Sequence, residues 1–396
     1  MGNDNHTNRW ILPVIVVSQL FCTSLWFAGN AVMPDLVKEF DLDPGFLANL
    51  TSAVQFGFIS GTLVFALFTI ADRFSPSRVF FACAIIAAFF NLGICMGGMT
   101  EGRIFLFRFL TGFFLAGIYP VGMKIASDYF STGLGRSLGF LVGALVLGTA
   151  SPHLLKTLTA DLPWKYVIYS ISILSVLGGS IMLLFVPDGP FRKPGQKLNF
   201  TDFMIGFRNK NFRSAALGYF GHMWELYTFW AFVPVMLMVN SIYHHRELNI
   251  SLLSFLVIAC GGLACVLSGS LSQRLGAKRL ATLALFLSGL CCLLSPIFLF
   301  SPSPTVLIAF LIFWGLVVIA DSPLFSTLVA QNAPEQSRGT SLTIVNCIGF
   351  SITIISIQLI KFLSETINAQ YLYMLLAIGP AIGLIALLRN KEAQPL

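Results

Sequence analysis

Hydrophobic residues run through this sequence in long, nearly uninterrupted stretches that are separated by short polar segments. A helix that crosses the hydrocarbon core of a membrane needs about 20 mostly apolar residues. Measured against that length, the pattern predicts a membrane-spanning helix in each of twelve stretches. Their predicted bounds are 10–32, 47–70, 79–98, 103–123, 135–155, 165–186, 214–239, 250–271, 280–300, 304–329, 340–361 and 370–388.

The composition supports a membrane protein and excludes several other classes. Of the 396 residues, 56% are hydrophobic and 10% are charged, whereas soluble domains carry about 25% charged residues. A soluble enzyme, a disordered protein and a disulfide-stapled secreted domain are therefore excluded. The eight cysteines fall within apolar stretches and form no Cys-x-x-Cys pair. We expect them to act as small buried hydrophobes, and we expect no metal site and no cofactor.

The longest connection between predicted spans is the segment 187–213, which is basic and contains three prolines. It lies midway along the chain, between two sets of six spans. The sequence therefore predicts an N-terminal six-helix bundle at 1–186, a cytoplasmic linker at 187–213 and a C-terminal six-helix bundle at 214–396.

Basic residues predict how the spans are oriented. Of the 24 lysines and arginines, seventeen fall on one side if the N-terminus is cytoplasmic and six on the other, with Arg108 inside a span. Cytoplasmic loops carry an excess of these residues, so both termini are predicted to be cytoplasmic, in a bacterial-type inner membrane. The net charge of +7 then requires no nucleic-acid partner. We expect a monomer in a lipid bilayer whose other partners are a small-molecule substrate and protons.

Two pairs of basic loops indicate an internal repeat. The loop Ala-Asp-Arg-Phe-Ser-Pro-Ser-Arg after the second span aligns with Ser-Gln-Arg-Leu-Gly-Ala-Lys-Arg after the eighth, which places Arg73 opposite Arg274. The loops after the fourth and tenth spans place Arg136 opposite Arg338. The two offsets, 201 and 202 residues, agree on a period of half the chain.

These loops resemble a motif of the major facilitator superfamily, approximately Gly-x-Leu-Ala-Asp-Arg-x-Gly-Arg-Arg. The first loop departs from it at Phe68 and Ser75, where glycines are usual, and the second loop has Gln273 in place of the Asp. The positions of the motif and its repeat that match are Asp72, Arg73, Arg78, Gly269, Arg274, Gly276, Lys278 and Arg279.

The resemblance covers nearly the whole chain and implies a fold and a gate. The implied fold is all-α, with two pseudo-symmetric six-helix bundles. In the family the Asp of the loop motif pairs with an Arg and stabilises the outward-facing state. The implied gate residues are Asp72, Arg73, Arg78, Arg136, Arg274, Lys278, Arg279 and Arg338.

Four ionisable residues lie deep within predicted spans: Arg108, His222, Glu225 and Asp321. Such groups are costly in lipid and usually face a cavity. They fall on the fourth, seventh and tenth spans, and the resemblance implies that these line the central path together with the first. At 1.5 Å per residue, His222 and Asp321 lie about 13 and 12 Å from the inner surface, which predicts that they are level with each other.

The chemistry of these groups suggests coupling to protons. A histidine near a carboxylate can exchange a proton near neutral pH, and Glu225 lies one helical turn from His222, where we expect both on one face. The hypothesis is that Glu225, His222 and Asp321 carry a coupled proton, with Arg108 as a counter-charge or an anion contact.

Uncharged polar stripes complete the predicted path. On the first span, polar positions recur at helical spacing and are expected to face inward. A matching stripe follows Arg108 on the fourth span, and Phe229 and Trp314 are candidate aromatic walls. The stripes are Gln19, Thr23, Trp26 and Asn30 on the first span, and Arg108, Thr111, Leu115 and Tyr119 on the fourth.

The favoured function is secondary active transport of a small organic solute by alternating access, coupled to protons and without enzymatic catalysis. Two alternatives remain open, an integral-membrane transferase that uses His222 and Glu225, and a passive facilitator of the same fold. The expected cavity, with one Arg, one His, two carboxylates and aromatic rings, fits a zwitterion, an organic anion or a polar amphiphile.

Overall fold

The computed structural model describes residues 4–43, 45–130, 134–192, 203–204, 206–334 and 338–389. Within these residues, eleven helices are long and apolar enough to cross a membrane, and the shorter apolar helix Trp10–Thr23 precedes them. This confirms the predicted all-α membrane fold and its order of spans. Because the spans alternate in direction, residues 4 and 389 lie on the same face of the molecule, here named the terminal face.

The N-terminal half contains the first six spans. Three short helices, Ala28–Ala31, Met33–Phe40 and Ile70–Arg73, lie in or after the first and second spans. The spanning helices are Asp4–Thr23, Phe46–Leu67, Pro76–Gly93, Glu101–Leu115 continued by Tyr119–Tyr129, Leu134–Leu158 and Lys165–Phe185.

The C-terminal half repeats this arrangement with the remaining six spans. The seventh helix begins at Lys210, four residues before the predicted start. The spanning helices are Lys210–Tyr243, Ile250–Leu275, Ala277–Phe298, Pro304–Ala320 continued by Ser322–Asn332, Arg338–Ser364, and the segments Ala369–Leu372, Tyr373–Ala377 and Ile378–Arg389.

The first span is interrupted, and the prediction of one helix over 10–32 is wrong. Its helix ends at Thr23, residues 24–27 form a turn, and a short helix covers Ala28–Ala31. The turn leaves the backbone carbonyls of Leu25 and Trp26 without helical partners, and Arg108 of the fourth span donates hydrogen bonds to both. A side chain about 80 positions away along the chain therefore stabilises the break.

The fourth and tenth spans are also interrupted, and at equivalent positions of the repeat. Both are longer than predicted, and each contains a second helix of 11 residues that begins beside a proline, Pro120 or Pro323. Proline fits the first turn of a helix because its missing N–H has no partner there. The tenth span breaks at Asp321, which places this carboxylate between two helix ends.

Close helix packing joins the two halves. The fifth and eighth spans approach through glycines, so that a Cβ on Gly139 or Gly143 would lie 3.1 Å from the carbonyl oxygen of Cys265 or Gly262. This agrees with the expectation that glycines in membrane helices permit close contact. On the face opposite the terminal face, Gln358 of the eleventh span donates hydrogen bonds to Asn49 and Ser52 of the second span.

Candidate functional site

His222 and Asp321 meet inside the C-terminal half. The Nδ1 atom of His222 lies 2.7 Å from Oδ1 of Asp321, and both side chains are 1% exposed. Among the described residues, neither His222 Nε2 nor the Asp321 oxygens have an aligned hydrogen-bond partner. The two side chains are therefore in direct contact, and they attract each other when His222 is protonated and Asp321 is ionised. The structure brings together the two residues that were predicted to be level.

Glu225 has a different set of neighbours. Its Oε1 atom accepts hydrogen bonds from Nε1 of Trp314, at 2.6 Å, and from Sγ of Cys292, at 3.2 Å. Its Oε2 atom accepts one from Oγ of Ser288, at 2.9 Å. Three donors thus surround a fully buried carboxylate, and hydrogen bonds to a charged group are the strong ones.

The partners of these three residues all belong to the C-terminal half. His222 faces Asp321 at the break in the tenth span, whereas Glu225 faces the ninth span and the first helix of the tenth. Glu225 and His222, which are one turn apart, therefore have different neighbours. The partners of these three groups lie within one bundle, and convergence of all deep charges on a passage between the halves stays a prediction.

Arg108 forms the corresponding network in the N-terminal half. It is fully buried, and its guanidinium donates to the carbonyls of Leu25 and Trp26 and to Oδ1 of Asn91. Asn91 in turn donates to the hydroxyl of Ser172 on the sixth span. Every acceptor in this network is neutral, so Arg108 joins four spans and has none of the predicted carboxylates against it among the described residues.

The predicted stripe on the first span does not form one face. All four residues are buried, but Thr23 donates to the Gln19 carbonyl of its own helix, and Asn30 donates to Thr51 of the second span. Gln19 lies against Gly122 of the fourth span. Of the four side chains, Trp26 is the one whose ring reaches the other half. The break after Thr23 rotates Trp26 and Asn30 away from the positions that a continuous helix would give them.

The stripe on the fourth span is also divided. Thr111 donates to the Phe107 carbonyl of its own helix, while Leu115 is buried in the core. Tyr119 begins the second helix of the span and is half-buried. The stripe therefore changes direction at the break in its span.

Aromatic rings from both halves meet at mid-membrane depth. Trp26 and Phe58 of the N-terminal half lie 5.6 and 4.6 Å, centroid to centroid, from Phe350 of the eleventh span. Tyr227 lies 5.8 Å from Trp26. The central aromatic cluster, as it is named below, consists of Trp26, Phe27, Phe58, Tyr227, Trp230 and Phe350.

The sequence analysis named Trp26 but missed the other five members of this cluster. Phe229 and Trp314, which it chose as aromatic walls, instead contact each other inside the C-terminal half, with ring centroids 4.6 Å apart. The seventh span carries two stripes, and one of them (Tyr219, Met223, Tyr227, Trp230) recurs at steps of four, four and three. That second stripe was the available signal for the interface between the halves.

Another buried ionisable residue was overlooked. His153 lies in the fifth span, is 2% exposed, and has an Nε2 atom without a hydrogen-bond partner among the described residues. The prediction that the fourth, seventh and tenth spans hold every deep charged or titratable group is therefore wrong. Its position directly after Pro152, within an apolar stretch, was the signal for it.

Comparison with known proteins assigns this architecture to a family. The model of the family described as Major Facilitator Superfamily matches residues 15–357 and 215–395. The chain belongs to the major facilitator superfamily.

Two curated relatives match parts of the chain. Puromycin resistance protein pur8 of Streptomyces alboniger is 28% identical over 177 residues, which are 43% of this chain and 34% of that protein. The benzoate transport protein of Acinetobacter baylyi is 30% identical over 105 residues, which are 25% of this chain and 22% of that protein. The matches thus span about a third and about a fifth of the length of these relatives.

Solved structures of transporters match nearly the whole chain. The human organic anion transporter MFSD10 (TETRAN) aligns with a TM-score of 0.76 at 14% identity, over 96% of this chain and 99% of that one. The proton:xylose symporter XylE, bound to 6-bromo-6-deoxy-D-glucose, aligns with a TM-score of 0.73 at 13% identity, over 98% and 95%. At these identities the likeness establishes the superfamily fold.

The superfamily loop motif has an unexpected partner in this member. Nζ of Lys124, on the second helix of the fourth span, lies 2.9 Å from Oδ1 of Asp72 and 3.5 Å from Oδ1 of Asp128. The expected Asp–Arg pair is therefore replaced by an Asp–Lys pair within the N-terminal half. The guanidinium of Arg192, which follows the sixth span, donates to the backbone carbonyls of Asp72 and Phe74. These hydrogen bonds hold the loop after the second span against the residues that follow the sixth.

The other predicted gate residues lie at the surface of the terminal face. The side chain of Arg136 lies outside the described part of the structure. Lys278 is half-buried and interacts with another residue. The exposed members are Arg73, Arg78, Arg274, Arg279 and Arg338.

Proposed function

We propose that this superfamily member is a proton-coupled secondary transporter of a small organic solute. It resides in the bacterial cytoplasmic membrane as a monomer, with the terminal face in the cytoplasm. Residues 1–186 and 214–396 rock against each other by alternating access, joined by the linker 187–213. The proposal is supported by the transporters of known structure that share its fold, one of which is a proton:xylose symporter.

The observation that carries proton coupling is the His222–Asp321 contact, which is 2.7 Å long and 1% exposed. A buried ion pair is tolerated because each charge compensates the other, and removing one charge is strongly destabilising. Protonation of Asp321 would leave a charged His222 alone in the bundle. A change of protonation therefore favours a different arrangement of the two helices that meet at Asp321.

Glu225 is the second proton site in this proposal. Its three donors stabilise the carboxylate, and a proton taken up there replaces an accepted hydrogen bond with a donated one. Because Trp314 and Ser288 belong to different spans, that exchange alters packing between the ninth and tenth spans. Both sites lie in the C-terminal half, so we assign proton handling to that half.

The loop motif serves as the gate in this proposal. Lys124 holds Asp72 to the fourth span, and Arg192 ties the same loop to the start of the linker. We assign this held loop the role of stabilising the outward-facing state, with Arg73, Arg78, Arg274, Arg279 and Arg338 as the exposed members of the same gate.

Proton movement in reconstituted vesicles tests the proposal. Purified protein is placed in proteoliposomes that contain the pH-sensitive dye pyranine, and puromycin, benzoate, xylose or benzamide is added outside. We expect at least one of these solutes to change the internal pH, and Glu225→Gln to abolish that change while exchange of the same solute persists. Glu365→Gln, which alters an exposed carboxylate, is the matched control and should behave as the unaltered protein.

Two results would contradict the assignment. Retention of solute-driven proton movement by Glu225→Gln would remove Glu225 from the proton path. Net uptake of a solute by the unaltered protein without any proton movement would indicate a passive facilitator.

A further inference from the structure

The central aromatic cluster contains hydrogen-bonding groups that have no partner. The indole Nε1 atoms of Trp26 and Trp230 are both buried, and neither donates to another described residue. The two side chains belong to opposite halves and are connected through the Tyr227 ring, which lies 5.8 Å from Trp26 and 5.3 Å from Trp230. Two N–H donors are therefore available where the halves meet.

Gln55 adds an amide to the same interface. It lies on the second span, three residues after Ser52 and three before Phe58, and residues at this spacing share one helix face. Ser52 accepts a hydrogen bond from Gln358 of the eleventh span, and Phe58 contacts Phe350 of the same span. Gln55 lies between two residues that touch the opposite half, is fully buried, and has both amide atoms unpartnered.

Buried polar groups are normally hydrogen-bonded, and leaving them unpaired is costly. Three such groups at one interface indicate that something satisfies them when the halves separate. Indole N–H groups can only donate, so the molecule that satisfies them must carry a hydrogen-bond acceptor. The surrounding rings favour a flat π-system, which stacks on aromatic side chains.

The deeply buried ionisable side chains have their partners within their own halves of the protein. Arg108 directs both terminal nitrogens to neutral acceptors of the N-terminal half. His222, Asp321 and Glu225 have their partners within the C-terminal half. The cluster itself consists of uncharged side chains, so the interface provides donors and rings without a compensating ion. The sequence analysis expected a zwitterion or an organic anion because it placed these charged side chains in the lining of the cavity.

We propose that the interface at the central aromatic cluster, when the halves separate, binds an uncharged, planar aromatic solute with a hydrogen-bond acceptor. Trp26 and Trp230 donate to that acceptor from opposite halves, and Gln55 supplies a further donor or acceptor. Tyr227, Phe58 and Phe350 stack on the ring. This inference rests on the proposed transport function and names the substrate class for it.

Matched probes separate the charge from the shape of the solute. Benzamide and benzoate have the same ring and nearly the same size, and they differ in charge, while cyclohexanecarboxamide keeps the amide and lacks the flat ring. Dissociation constants are measured by titration calorimetry on the purified full chain in nanodiscs. We expect benzamide to bind at least about tenfold more tightly than either of the other two probes.

Substitutions then locate the site. Trp26→Phe and Trp230→Phe keep a ring and remove the indole donor, and each should weaken benzamide binding about three- to tenfold, as should Gln55→Leu. Trp10→Phe is the matched control because Trp10 is 75% exposed, and it should leave binding unchanged. Thermal unfolding without probe verifies that each variant is folded.

Several results would overturn the inference. Benzoate binding as tightly as benzamide, absence of benzamide binding, or unchanged affinity in the three interface variants would each do so. These outcomes are distinct from failure of the proposed function, because equilibrium binding needs no pH gradient. Tight benzamide binding without proton-coupled uptake would contradict proton coupling and leave the substrate class in place.

Discussion

The two halves of this transporter share a scaffold but treat their buried charges differently. In the N-terminal half, Arg108 is surrounded by neutral acceptors, two of them backbone carbonyls at the break in the first span. In the C-terminal half, the break in the tenth span carries Asp321, which meets a titratable partner, His222. At the offset of 202 residues between the loops that follow these two spans, the position opposite Asp321 is Tyr119 in the fourth span.

This difference shows how a duplicated fold can divide its tasks. An arginine remains charged at any physiological pH, so a network built on it is constant and suits a structural role. A histidine with carboxylates nearby can change charge within that range. The repeat therefore fixes helix positions in both halves, while we propose that the residue at the break in the tenth span provides proton chemistry in one of them.

The largest expected effect is on the N-terminal network. Arg108→Leu would leave three buried acceptors, on Leu25, Trp26 and Asn91, without a donor, at about 1–3 kcal/mol each. Because native proteins are stable by only about 5–15 kcal/mol, we expect loss of most folded protein in fluorescence-detected size-exclusion chromatography. Glu225→Gln keeps a side chain of the same shape in the C-terminal half and should remain folded. Similar stability of the two variants would contradict the structural role of Arg108.

The next largest effect is on transport. Asp321→Asn removes the charge opposite His222, and loss of one partner of a buried pair is strongly unfavourable. We expect accumulation driven by a pH gradient to fall at least about tenfold in proteoliposomes, with solute exchange retained. Tyr119→Phe changes the equivalent position of the N-terminal half and should stay within about twofold of the unaltered protein. Equal losses in both variants would show that the halves do not differ in proton handling.

A smaller effect is expected at the gate. Lys124→Met removes the pairs with Asp72 and Asp128, whose side chains are 25% and 8% exposed. Partly exposed ion pairs contribute about 1 kcal/mol or less, so the transport rate should change by less than about fivefold. Ser326→Ala is the control at the equivalent C-terminal position, where the hydroxyl bonds to its own helix. An effect of Ser326→Ala as large as that of Lys124→Met would mean that the gate is shared by both halves.

The order and number of the spans could be predicted from the sequence because apolar runs of membrane length are an unambiguous signal. The interruptions could not be, because their causes are distant in the chain. The turn at 24–27 is stabilised by Arg108, and nothing in the local sequence of the first span indicates that contact. The break at Asp321 is of the same kind, although the nearby Pro323 gave a local clue.

The candidate site was only partly predictable for a related reason. Deep charges are rare, so His222, Glu225 and Asp321 could be found by their cost in lipid. Their partners depend on which helix face meets which neighbour, and Ser288 and Cys292 of the ninth span carry no distinguishing signal. The central aromatic cluster was missed because 38 phenylalanines make any single ring, such as Phe58 or Phe350, uninformative.

The smallest expected effect is on the pH dependence of stability. It concerns Glu39, which lies at the end of the N-terminal half opposite the terminal face. Glu39 lies in the connection between the first two spans, accepts a hydrogen bond from Trp164, and pairs with Lys165 at 3.0 Å. The Trp164 hydrogen bond, together with the Lys165 ammonium, holds the pKa of Glu39 below its ordinary value of 4.5. A depressed pKa contributes stability above the ordinary value, and that contribution is lost as the pH falls through the lowered one.

Thermal unfolding of the purified chain between pH 6 and pH 3 checks this, with Glu39→Gln compared against Glu365→Gln. The unaltered protein and Glu365→Gln should lose stability together below about pH 4.5, whereas Glu39→Gln should start lower and lose less. The side chain of Glu39 is 38% exposed, so the difference should be about 1 kcal/mol or less. Parallel curves for all three proteins would show that this carboxylate contributes nothing to stability.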